Sequence, residues 1–134
     1  MNKFSRLFDI IINYKTEYAK DIMVAGRAGD QWRTFSTAEF VDIVNNLSKG
    51  LIARGIKKGD RVAIMSGNRP EWNFIDFACN QLGVATVPLY PTLSNQDLIY
   101  IINDADVKMV FVSNEDLATK ADLAMKENDI NIET

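Results

Sequence analysis

A chain of 134 residues has the length of one ordinary domain and can bury roughly two-thirds of the surface its unfolded form exposes. With 47% hydrophobic and 25% charged residues it belongs with globular sequences, which excludes low-complexity and disordered classes. A net charge of −3 gives no general attraction for nucleic acid or anionic lipid, and one cysteine with no histidine builds neither an internal disulfide nor a common zinc site.

Phe4, Leu7, Phe8, Ile11 and Ile12 recur at helical spacing, which predicts an amphipathic helix from residue 3 to about residue 18. Its apolar stripe serves core or partner-subunit packing, with peripheral contact to a membrane as the alternative. Asp9 interrupts any apolar core a signal peptide would need, and no run approaches the roughly 18 residues of a membrane span. Cys79 lies in the apolar stretch 74–82 and reads as a small buried hydrophobe in a reducing compartment. A cytoplasmic location is therefore expected.

Two short extended runs, 22–26 and 31–35, flank the turn-rich Arg27-Ala28-Gly29-Asp30 and predict a hairpin. Ser36-Thr37-Ala38-Glu39 fits a capping box, followed by a helix with Phe40, Val44, Leu47 and Leu51 on one face and Gly55 at its stop. Lys57, Lys58 and Arg61 form the one basic cluster, read as a solvated helix-to-strand turn in preference to a phosphate site. Arg61-Val62-Ala63-Ile64-Met65 has strand length. Pro70 can open the next helix, whose inner face is given by Trp72, Ile75, Ala78, Cys79 and Leu82, with Phe74 and Phe77 pointing to burial on more than one side. Gly83 ends it.

The unit then repeats. A second run, 85–90, precedes a cap-like Ser94-Asn95-Gln96-Asp97 and a helix striped by Leu98, Ile101, Ile102 and Ala105. A third run, 109–112, precedes a cap at 113–116 and a helix with Leu117, Ala121, Ala124 and Met125. Ile130-Asn131-Ile132 resembles the start of a fourth strand. Alternating strands and helices predict the α/β class: a partial doubly wound parallel sheet with flanking helices, preceded by an N-terminal helix and β-hairpin. Continuous apolarity places the strands between two covered faces, and Pro88 requires its strand to end, bulge or lie at an edge. The expected organisation is a helix plus hairpin over 3–35 and repeated α/β units over 36–134. The last strand breaks off with an unpaired edge, so the protein is expected to continue beyond Thr134, and a homo-oligomer is a further expectation.

No catalytic constellation is legible. Without histidine there is no Ser-His-Asp or Cys-His arrangement, and neither G-x-x-x-x-G-K-S/T nor G-x-G-x-x-G occurs. The carboxylate pairs Asp104 with Asp106 and Glu115 with Asp116 fall at helix ends, where solvated or capping roles outweigh acid–base work.

The order of phrases carries more. Thr34-Phe35-Ser36-Thr37-Ala38-Glu39-Phe40 resembles the first core motif of AMP-forming acyl-activating enzymes. Gly55-Ile56-Lys57-Lys58-Gly59-Asp60-Arg61-Val62-Ala63-Ile64 resembles their "G-v-k-x-G-D-r-V-a-i" turn and strand. Asn68-Arg69-Pro70-Glu71-Trp72 follows in register, and the stretch from Gln81 through Tyr90 resembles the second core motif. Within the superfamily, the wording of Asn68–Trp72 and of Pro88-Leu89-Tyr90-Pro91-Thr92-Leu93-Ser94 looks most like long-chain fatty acyl-CoA synthetases. The resemblance implies a ligase that uses ATP, Mg and CoA to turn a fatty acid first into an acyl-adenylate and then into a thioester. It also implies that the phosphate-binding loop, ribose-binding aspartate and catalytic lysine lie further along, so no catalytic, cofactor-binding or metal-binding residue is assigned here. This stretch alone is then structural and inactive, binds no cofactor, and has the remainder of its own chain as partner.

One candidate contact remains. Tyr90 follows a strand at its C-terminal end, the side on which open α/β sheets bind ligands, and is the candidate for the substrate pocket. A core or domain-interface aromatic is the plainer reading. Two other functions stay open: a free-standing Rossmann-like or flavodoxin-like binding module, and an adenylate-forming enzyme with a different carboxylate substrate.

Overall fold

The computed structural model describes residues 5–134. In chain order the elements are α1 (Asp9–Glu17), β1 (Val24–Ala28), β2 (Gln31–Phe35), α2 (Thr37–Ala53), β3 (Arg61–Met65), α3 (Pro70–Leu82), β4 (Ala85–Leu89), α4 (Asn95–Asp104), β5 (Val107–Val112) and α5 (Glu115–Glu127). They gather into two compact units. The first holds the described residues up to Gly55 together with Arg69–Leu82, and the second holds Ile56–Asn68 with Gly83–Thr134.

In the first unit α1 opens at Asp9, later than its apolar spacing predicts. The Asp9 carboxylate accepts from the backbone amides of Ser5 and Arg6 at 3.3 and 3.0 Å and pairs with the Arg6 guanidinium at 2.8 Å, so the preceding residues form a turn. Phe4, which the expected stripe included, lies outside the described residues. Of the rest, Ile11 is fully buried while Leu7 and Ile12 are exposed. The hairpin is antiparallel with Val24 opposite Phe35 and Ala28 opposite Gln31. Its first strand runs two residues later than expected because the turn is only Gly29-Asp30, with Gly29 in the left-handed region at φ +63°.

The capping box at α2 is formed in full. Ser36 Oγ accepts from the Glu39 amide at 3.2 Å, and the Glu39 carboxylate accepts from the Ser36 amide at 2.8 Å. Phe35, Phe40, Phe74 and Phe77 meet edge-on, with ring centroids 5.1, 5.1 and 5.6 Å apart for the pairs Phe35–Phe74, Phe40–Phe74 and Phe40–Phe77. On α3 the buried face is Pro70, Phe74, Ala78 and Cys79, so Trp72, Ile75 and Leu82 are only half-buried. Ser48 is buried with its hydroxyl 2.7 Å from Gln81 Oε1, and the Gln81 amide donates to Asn45 Oδ1 at 3.1 Å, a polar tie between α2 and α3.

The second unit is a parallel sheet in the order β4-β3-β5. Central β3 is buried on both faces, as its unbroken apolarity requires. Edge β4 is more exposed, and Pro88 sits in it opposite Ile64, where a missing ladder donor is tolerated. Ala63, Met65, Leu89 and Val110 share one core with Leu98, Ile99 and Ile102 of α4 and Ala121, Ala124 and Met125 of α5. β5 begins two residues before its apolar run predicts, with the ladder shifting register as Arg61 pairs with Val107 and Val62 with Met109. The expected fourth strand is a single parallel bridge from Glu133 to Met109, in which the Val110 amide donates to the Glu133 carbonyl at 2.9 Å.

Candidate functional site at the strand ends

Met65 pairs with both Leu89 and Val112, so the three strands end level and the residues that follow leave from one edge. From β3 the chain moves outward to β4, and from β4 it returns across β3 to β5. Such a reversal of winding is where open α/β sheets form ligand crevices. Ser66, Gly67 and Asn68 follow β3, Tyr90 to Leu93 follow β4, and Ser113 and Asn114 follow β5.

The structure places Tyr90 immediately after β4 with 77% of its surface exposed, outside the core of this chain. The residues behind it are ordered by several means. The Leu93 amide donates to the Tyr90 carbonyl at 3.1 Å, closing a β-turn whose second position, Pro91, matches the fixed φ of proline. The Leu93 side chain packs on the core of the second unit. Ser94 caps α4, accepting from the Asp97 amide at 3.1 Å. From α5, the Lys120 ammonium donates to the Pro91 carbonyl at 3.1 Å and also to the Leu93 carbonyl. Sequence reasoning passed over Lys120, since nothing local marks a partner nearly thirty residues away.

The opposite edge is structural. Arg61 donates from Nε to the Ala105 carbonyl at 2.6 Å and from one terminal nitrogen to the Gly59 carbonyl at 2.8 Å, while the other pairs with the Asp106 carboxylate. Lys108, at the register shift, reaches the same carboxylate at 2.5 Å. These cations, Lys108 foremost, hold the Asp106 carboxyl below its ordinary range. Arg61 is thus spent on the start of β3, and the Lys58 stem lies where a Cβ on Gly83 would come within 3.0 Å of it. Asp106 is a pairing group rather than a purely solvated one, while Glu115 and Asp116 occupy the first turn of α5, which Asn114 caps. Burial foremost, with nearby Asp76, pushes the Cys79 thiol up to about 12. Among the described residues no three potential metal ligands come together.

A family model described as AMP-binding enzyme matches residues 14–133. The chain belongs to that family. This AMP-binding segment is 34% identical over 88 residues to the long-chain-fatty-acid–CoA ligase FadD15 of Mycobacterium bovis, covering 66% of the chain and 15% of the relative. It is 37% identical over 97 residues to the peroxisomal long chain acyl-CoA synthetase 6 of Arabidopsis thaliana, covering 72% and 14%. The segment therefore spans about 15% of the length of the curated relatives it matches. Among solved structures, an anthranilate CoA ligase, AuaEII, in complex with anthranoyl-AMP superposes with a TM-score of 0.79 at 17% identity, over 96% of this chain and 24% of that one. VinN with L-aspartate gives 0.76 at 20% identity, over 94% and 34%. Both likenesses concern the fold.

Proposed function

We propose that this segment is the opening α/β part of a long-chain fatty acid–CoA ligase, a scaffold that is inactive alone and lends Tyr90 to the substrate pocket. The observation that carries the reading is an identity of 34–37% to ligases named for long-chain fatty acids, over about two-thirds or more of the chain. The site geometry agrees with it. Tyr90 stands exposed on an ordered loop at the C-terminal end of the strands, the side on which open α/β sheets bind ligands. In this reading the nucleotide chemistry belongs to the rest of the polypeptide. Fatty acid, ATP, Mg and CoA are the small molecules this reading implies, in a cytoplasmic protein, with the remainder of its own chain as the main partner. Exposed Leu7 and Ile12 support such packing or self-association.

Pyrophosphate release by the complete gene product tests the reading across a panel of carboxylic acids. Long-chain fatty acids should support turnover best, and residues 1–134 alone should support none. Preference for an amino acid or an aryl acid would transfer the protein to another adenylate-forming branch. Turnover by the isolated segment, or a complete product of this length that binds a nucleotide, would overturn the scaffold reading.

A further inference from the structure

We infer that Lys120 is a positioning residue that locks the β4–α4 loop and so aims Tyr90 at the fatty acid; the inference rests on the ligase reading above. The loop has only five residues between β4 and α4, and its path is decided by where its carbonyls point. One of them, on Tyr90, closes the turn with the Leu93 amide. The carbonyls of Pro91 and Leu93 both receive the Lys120 ammonium. An ammonium offers three donors and no acceptor, so it suits a place where backbone oxygens converge, and its charge makes each such bond about twice as strong as a neutral one.

The lysine is itself held firmly. It precedes Ala121, which with Ala124 and Met125 anchors α5 in the core, and its side chain is half-buried. Tyr90, by contrast, has 77% of its surface exposed, so its ring is directed mainly by the backbone to which it is attached. Loss of the ammonium leaves the Ser94 cap in place but loosens the Pro91 turn, whose Pro91 and Leu93 carbonyls it had held. The expected consequence is local, at the substrate end of the loop.

The test uses the complete ligase with Lys120→Met, which keeps the aliphatic stem, and Lys120→Arg, which keeps a cationic donor. In Lys120→Met the Leu93 amide should exchange with solvent about tenfold faster, the scale set by losing one charge-assisted hydrogen bond. The KM for fatty acid should rise severalfold, with kcat and the KM for ATP nearly unchanged. Lys120→Arg should restore both exchange and KM. Unchanged exchange at Leu93 overturns the clamp, and faster exchange with an unchanged fatty-acid KM overturns the link to substrate. A rise in the KM for ATP alone does so as well. If Lys120→Met fails to fold, Lys120→Gln is read by the same criteria. Failure of the wild-type enzyme to activate any long-chain acid sinks the ligase reading, whereas an active wild type with indifferent Lys120 variants sinks only this inference.

Discussion

At the scale of single residues, Ser36 and Glu39 satisfy each other's backbone amides at the start of α2. Ser36→Ala should lower stability by about 1 kcal/mol in a denaturant titration, the usual cost of losing an N-cap oxygen. Cys79 was legible as a buried hydrophobe from its apolar neighbours, and its thiol, pushed up to about 12 inside α3, stays protonated at neutral pH. Thiol-specific reagents should therefore leave it unmodified at pH 8 in the folded chain and modify it fully in guanidinium. Ser48, Gln81 and Asn45 were not legible. Their bonds join residues more than thirty positions apart, and nothing in α2 or α3 read separately points to the other.

At the scale of elements, apolar runs, caps and turn residues located the helices and strands of the described residues, but their ends were decided by packing and the expected fourth strand is a single bridge. Leu7 and Ile12 fit a helical stripe and are nevertheless exposed, Leu7 because it falls in the turn before α1 and Ile12 because α1 turns Ile11 inward instead. β5 begins before its apolar run because the register shift accommodates Lys108, whose ammonium joins the Asp106–Arg61 pair. Two substitutions test the packing. A Cβ on Gly26 of β1 would lie 2.5 Å from Pro70 Cδ at the start of α3, so Gly26→Ala should cost about 1–3 kcal/mol by overpacking. Leu98→Ala on α4 removes a fully buried side chain from the core of the second unit and should cost about 2–5 kcal/mol. Both are read from urea midpoints at unchanged slope.

At the scale of the whole molecule, charge sets the response to acid. Hydrogen bonds from Ser36 hold Glu39 below its ordinary value, those from Arg69 foremost do so for Glu71, and Lys108 and Arg61 act likewise on Asp106. A carboxyl depressed in the folded state stabilises it above the unfolded pKa and loses that contribution as pH falls through the folded one. Thermal stability should therefore be level from pH 6 to 8 and decline below about pH 4, where protonation also leaves 15 lysines and arginines unopposed. A stability that rose on acidification would contradict this. Local spacing and ordered phrases were enough for the α/β class, the capped helices and the family resemblance, and for requiring the strand of Pro88 to end, bulge or lie at an edge. Tertiary structure alone decided the order β4-β3-β5, the grouping of α3 with the first unit, the work of Arg61 and the Lys120 clamp on the Tyr90 loop. The physical reason is that each depends on which distant segments meet, and the energy of such a meeting is recorded in no single stretch of the chain.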